Sequence, residues 1–227
     1  MNRPILICSL ALIVGWTAQG GIIYSSFANG GNIPDGSPVG SAGAATVSGY
    51  LPTISDISVT LNISGGYNGD LYGYLSYDGK LLPLLNRVGM GTGSTSDPTY
   101  YFGYGDAGFN NVTLADSGSV NIHNYGGNGV PTGTYAPDSG GLTFAGTFGG
   151  LNPNGTWTLF LADLSSGGGQ SQLTGWSLDI TAVPEPANVA LGIFAGIVVL
   201  VIIARTRPVR NRIHHWRAAV RHWIDAV

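Results

Sequence analysis

From Ile57 to Ile63 apolar and polar side chains alternate without a break, as Ile-Ser-Val-Thr-Leu-Asn-Ile. A period of two puts one kind of residue on each face, the pattern of a half-buried strand. The same alternation runs through Trp157-Thr-Leu159-Phe-Leu161 and through Trp176-Ser-Leu178-Asp-Ile180. Turn-forming runs separate such stretches: GGYNGD, YDGK, GMGTGSTSDP, NYGGNG, NPNG and SSGGGQ. Strands are predicted near 45–51, 54–64, 70–78, 80–87, 99–104, 110–114, 142–147, 156–163 and 174–181, with a long loop over about 115–140. No helical period appears before residue 187. The expected fold is all-β, a jelly-roll-like antiparallel β-sandwich.

The alternation stops at both ends. Met1-Asn2-Arg3 precedes PILICSLALIVGW and then TAQGG: one positive charge, a short apolar stretch and small residues. That order predicts a secretory signal peptide over 1–20, cut near Gly20, and then a linker over 21–32. At the other end Ala187 to Ala204 carries no charge. Eighteen helical residues at ~1.5 Å each reach about 27 Å, close to the hydrocarbon thickness of a bilayer. A C-terminal transmembrane helix is expected over 187–204, with a basic cytoplasmic tail over 205–227. Its arginines hold that side in the cytoplasm and leave the body of the chain outside. In the tail Ile213, Trp216, Val220, Trp223, Ile224 and Val227 fall at helical spacing, which reads as a short amphipathic helix.

Charge adds to this division. The chain of 227 residues has a net charge of -3, but six of its nine basic residues follow position 204. Between the ends only Lys80 and Arg87 stand against ten aspartates, from Asp35 to Asp179. Such a body offers no electrostatic footprint for nucleic acid. The 37 glycines argue for turns rather than long helices. The one cysteine, Cys8, lies in the leader, so the body holds by packing without disulfides.

Catalytic chemistry finds little support. The body has one histidine, His123, in the loop Asn121-Ile-His-Asn-Tyr125. A Ser-His-Asp arrangement needs a histidine held by an acid beside a nucleophile. A Gly-rich loop is a poor holder, and no GxSxG elbow is present. Zinc chemistry lacks ligands. The acids of the body are all aspartates, mostly in turns, and none is marked as a general acid. The body reads as non-catalytic.

Two stretches carry resemblances. Val183-Pro184-Glu185-Pro186, then the apolar run, then Arg205, Arg207, Arg210 and Arg212, resembles the PEP-CTERM sorting signal of Gram-negative bacteria. The resemblance implies an exosortase-type sorting protease as partner. It also implies export across the inner membrane, transient membrane anchoring, cleavage near the motif, and delivery to the cell surface or extracellular matrix. Two prolines suit such an address, because they hold the segment extended and free of helix.

The body, over 33–182, resembles the P domain of proprotein convertases, also called the P/Homo B domain. The residues that carry it are Ile33-Pro34-Asp35, Tyr67-Asn-Gly-Asp-Leu71, Leu81-Leu-Pro-Leu-Leu-Asn-Arg87, Asp106-Ala107 and Pro131-Thr-Gly-Thr-Tyr-Ala-Pro137. Asn154-Gly-Thr-Trp-Thr-Leu159 and Leu173-Thr-Gly-Trp-Ser-Leu178 complete it. The resemblance implies a jelly-roll sandwich that assists a subtilisin-like protease, here a separate chain.

Two ligand classes complete the expectations. Tyr72 and Tyr74 share a strand face, and Tyr100, Tyr101 and Tyr104 follow two strands later, a candidate platform for an extracellular polysaccharide. Asp70, Asp106 and Asp163 sit at strand ends, where loops can gather oxygen ligands for calcium (Ca2+).

Overall fold

The computed structural model describes residues 19–25, 31–50 and 52–206. Most of the expected signal peptide, residues 26–30 of the linker, and the tail with Arg207, Arg210, Arg212 and its amphipathic run lie outside the described residues.

Among the described residues ten strands form two sheets. They are β1 (Gln19–Ser25), β2 (Asn32–Ile33), β3 (Ser37–Val47), β4 (Thr53–Ser64), β5 (Leu71–Tyr77) and β6 (Lys80–Asn86), followed by β7 (Gly108–Ala115), β8 (Gly133–Tyr135), β9 (Gly155–Asp163) and β10 (Ser171–Val183). One sheet has the order β1-β10-β4-β7-β8, with β2 also paired to β10; the other is β3-β9-β5-β6. Every pair is antiparallel except β7 with β8. β1, at the boundary of the expected signal peptide and linker, pairs from Gln19 opposite Ala182 to Ser25 opposite Trp176.

The alternation read in the sequence is what closes the sandwich. Ile57, Val59, Leu61 and Ile63 of β4 are buried, and Trp176, Leu178 and Ile180 of β10 lie beside them in register. The second sheet turns Leu71 and Leu75 of β5 and Trp157, Leu159 and Leu161 of β9 into the same core. Apolar faces of two sheets thus cover one another, the arrangement that buries most side chain per strand.

Two expected strands are helices. A strand is expected over 99–104, but α1 (Pro98–Phe102) occupies most of that stretch. Asp97 caps it by accepting the Thr99 N–H at 2.9 Å, Pro98 suits the first turn, and Gly103 ends it at φ +75°. Residues 142–147 were likewise predicted as strand and carry α2 (Phe144–Phe148). Phe144 and Phe148, one helical turn apart, are both fully buried, and the Thr143 side chain caps the helix by accepting the Gly146 N–H at 3.0 Å. Asp116 closes its start, accepting the N–H groups of Phe144 and Ala145 at 2.7 and 2.8 Å. β3 begins at Ser37, earlier than the strand predicted from 45.

Residues Glu185–Val227 form a separate unit. Val183 is the last residue of β10, and only Pro184 and Glu185 lie outside regular structure before α3 (Pro186–Thr206) begins. The four-residue motif is therefore not all extended: Pro186 is the first helical residue, and the Glu185 carbonyl accepts the Val189 N–H at 3.1 Å. Leu191, Phe194 and Leu200 of α3 are each about two-thirds exposed. Among the described residues no helix is long and apolar enough to cross a membrane, which differs from the transmembrane helix expected over 187–204.

Candidate functional site at the loop end of the sandwich

Four connections meet at one end of the sandwich. A 3-10 turn at Asn68–Asp70 joins β4 to β5, and the long β6–β7 connection carries α1. A second 3-10 turn at Ile122–Asn124 precedes β8, and the β9–β10 loop supplies residues 164–170. Backbone bonds tie them together: Asn68 N–H to Asp106 O (3.0 Å), Gly69 N–H to Tyr104 O (2.8 Å), Gly89 N–H to His123 O (2.9 Å) and Leu164 N–H to Asp70 O (2.8 Å). The close approach of α1 demands glycine at Gly69, where a Cβ would stand 2.2 Å from the Phe102 carbonyl oxygen.

Two cavities open here. The first, of about 330 Å³, is lined by Tyr67, Phe102 and Tyr104, by Ser165 and Ser166, and by Asp70. The second, of about 500 Å³, is lined by Arg87, Met90, Tyr100, Tyr101 and His123 among others. α1 contributes to both. Around them Tyr67, Tyr101 and Phe102 are 46%, 54% and 62% exposed.

Asp70 is 4% exposed and faces Arg87, whose Nη2 lies 3.8 Å from Oδ1. Arg87 also donates through Nε to the Gly69 carbonyl at 3.2 Å. Burial, helped by repulsion from Asp163 and Asp35, outweighs the pull of Arg87 and pushes the Asp70 carboxyl up to about 6. Burial also raises Asp163, although the Ser165 N–H bonds it at 3.3 Å and the Ser171 hydroxyl lies 3.5 Å away. A carboxyl raised in the folded state binds its proton more tightly there than in the unfolded chain. Asp70 therefore works against the fold above about 6 and ceases to do so as pH falls toward 3.8. Asp70→Asn is expected to flatten the stability profile across that window, read by urea unfolding at stepped pH; an unchanged profile would count against the assignment.

The three aspartates expected to bind calcium are not brought together. Asp70 and Asp163 are neighbours, since Leu71 pairs with Asp163. The Asp106 carboxylate is taken by the Tyr125 hydroxyl (2.9 Å) and the Gly129 N–H (2.8 Å). Among the described residues no group of three or more acids, histidines or cysteines is placed to hold a metal ion. The acid that does join Asp70 and Asp163 electrostatically is Asp35. It stands in Ile33-Pro34-Asp35, which was legible as a motif but not as part of a site.

The five tyrosines do not form one platform either. Tyr72 and Tyr74 are half-buried on β5. The Tyr74 ring stacks on Phe160 at 4.8 Å and 19°, and Tyr72 meets Tyr74 edge-on at 6.2 Å. Tyr100 and Tyr101 lie in α1 with their rings crossed at 78°, and Tyr104 packs edge-on against Tyr125 at 4.6 Å. Rings that cover or cross one another do not offer the shared flat face that a sugar chain stacks on.

His123 is better held than its loop suggested. Its Nδ1 lies 2.6 Å from Asp138 Oδ2 and its Nε2 2.9 Å from the Met90 carbonyl. The acid is present, but the nitrogen that would serve a hydroxyl nucleophile is occupied by backbone. The ring acts as a clamp across three connections. His123→Ala is expected to cost roughly 1–3 kcal/mol, measurable as a shifted denaturation midpoint at pH 7.

No protein-family model and no curated protein matches the chain. Solved structures that resemble it in fold include the Aeromonas sobria serine protease in complex with the chaperone, at 15% identity and a TM-score of 0.43, and the serine protease of Aeromonas sobria, at 15% and 0.42. Each likeness covers 74% of this chain and 27% of the other, so the chain spans about a quarter of the length of the chains it is similar to.

Proposed function

We propose that the chain is an exported, non-catalytic interaction module, a jelly-roll-type sandwich that presents its loop end to a partner protein. The observation that carries this reading is the exposed aromatic group Tyr67, Tyr101 and Phe102, set beside two cavities on a rigid two-sheet scaffold. Exposed apolar rings next to concave surface are the usual anchors of a protein interface. Delivery runs through the C-terminal segment: Val183–Pro186 as cleavage address, the uncharged run 187–204 as membrane anchor, and Arg205 with the arginines after it as the inner-face charge. The surface or matrix is the destination. The test is the mass and C-terminal sequence of protein recovered from its native envelope. A new C-terminus near Val183–Pro186 is expected; an intact chain ending at Val227 would overturn the sorting half of the reading.

A second reading, a P domain that assists a separate subtilisin-like protease, is favoured by the placement of its motifs. Asp35, Asp70 and Asp163 come together at the loop end, and Trp157 and Trp176 are both buried in the core. Co-expression with a neighbouring protease is expected to raise the yield of active enzyme, and the Phe102→Ala variant to lose that effect.

A further inference from the structure

We propose that the cavity between Tyr67, Phe102 and Tyr104 is a binding site for an organic cation, an alkylammonium or guanidinium group, with Asp70 as its counterion. This deepens the interaction reading, because such a group is what a lysine or arginine of a partner would insert.

Asp70 is the one charged residue among those that line the cavity. It is nine-tenths buried, and its nearest cation, Arg87, stands beyond hydrogen-bond distance at 3.8 Å. Arg87 belongs to the lining of the neighbouring cavity and not of this one. The charged groups that face Asp70 are Arg87 after β6, Asp163 at the end of β9 and Asp35 before β3. One cation among three carboxylates leaves the locality short of positive charge; burial first, and repulsion from Asp163 and Asp35 after it, raise the proton affinity of Asp70. A proton relieves it at low pH; a cation entering the cavity relieves it at neutral pH.

The walls suit the same guest. Tyr67 and Phe102, both exposed, supply aromatic rings, which attract a cation through their quadrupoles and hold its alkyl stem by contact. Ser165 and Ser166 supply hydroxyl oxygens as acceptors for the remaining N–H groups. A volume of about 330 Å³ admits a side chain or a small amine, and excludes a folded loop. A metal ion fits less well, because the nearby carboxylates do not form a ligand set.

The test is calorimetric titration of the full chain, held in mild detergent at pH 7.5, with n-butylammonium, agmatine and short peptides carrying one central lysine or arginine. Saturable binding of the small cations is expected. Asp70→Asn should weaken it by about tenfold or more, and Phe102→Ala, at an exposed position that leaves the core intact, by a smaller factor. Binding should fade as pH drops through about 6 in the wild type and not in Asp70→Asn. Binding of both small cations and peptides supports a side chain of a partner as the guest. Binding of small cations alone supports a free amine as the guest and leaves the partner reading to stand on other contacts. No saturable binding, equal binding of a neutral acetylated lysine peptide, or binding of calcium in place of the amines would overturn the proposal. Each of these outcomes is independent of where the chain is cleaved.

Discussion

Replacing Trp157 by alanine is expected to lower the unfolding free energy of the sandwich by about 3–5 kcal/mol. Trp157 is fully buried on β9, the strand between β3 and β5. One face of its ring stacks on Tyr77 at 4.0 Å and 7°. Phe148 of α2 meets it edge-on at 5.1 Å. Its Nε1–H donates to the Pro153 carbonyl at 2.9 Å. Alanine removes these contacts together and opens a cavity where a sheet, a helix and a loop meet, and none of the three can collapse into it without losing its own pairing. Against a total stability of about 5–15 kcal/mol, that is a large fraction. Trp157→Phe separates the terms: the aromatic volume largely stays, and the Pro153 carbonyl loses its donor. Trp176 is the control. It is 3% exposed, but its Nε1 has no partner among the described residues, so Trp176→Phe is expected to cost less than Trp157→Phe. Equilibrium urea unfolding decides it. A cost for Trp157→Ala below about 1 kcal/mol would show that β9 does not pack on α2 as described.

The strands that alternate cleanly were legible from sequence because burial is what alternation encodes. β4, β9 and β10 follow directly from Ile57–Ile63, Trp157–Leu161 and Trp176–Ile180. β3 was half legible. It buries Ser41, Gly43, Ala45 and Val47, a regular period written mostly in small residues that a reading of large apolar side chains passes over. α1 and α2 were misread for a different reason. Tyr, Phe and Thr favour strands by propensity, but caps from Asp97 and Thr143 override it over five residues. At the site, Asp70 and Asp163 were recognisable as strand-end acids. Their association with Asp35 and the departure of Asp106 were not, because both depend on which loops the two sheets bring to one end. The His123–Asp138 pair was invisible for the same reason: fifteen residues of Gly-rich chain say nothing of a 2.6 Å contact.

Asn68→Ala is the second change with a large expected effect, because a single side chain there replaces a stretch of sheet. Asn68 is fully buried in the turn between β4 and β5. Its Oδ1 accepts the Gly108 N–H at 2.8 Å, and its Nδ2 donates to the Gly108 carbonyl at 2.8 Å and to the Tyr125 hydroxyl at 3.0 Å. Tyr125, whose phenol burial pushes up, passes its own proton donation to Asp106, which holds the Gly129 N–H. Gly108 sits at φ +94° with Ile63 O 2.1 Å from where a Cβ would be, so only glycine fits this close approach of β7 to β4. Alanine at 68 would strand two buried backbone groups at about 1–3 kcal/mol each, so a loss of roughly 2–6 kcal/mol is expected. Asn68→Asp sharpens the argument. An introduced carboxylate still accepts from the Gly108 N–H, but when ionised it faces the Gly108 carbonyl with no proton to give. The folded state then favours the protonated acid, and the stability of this variant should rise as pH falls from 7 toward 4 by more than the rise that Asp70 gives to Asn68→Ala. Urea unfolding at both pH values reads the stability. Hydrogen exchange at Gly108 reads the local effect, with protection lost in Asn68→Ala at neutral pH. A change below about 0.5 kcal/mol with Gly108 still protected would mean that the turn is held by its backbone bonds alone, to Asp106 and Tyr104. The predicted loss would instead loosen the connection that carries Tyr104, and with it a wall of the cation cavity.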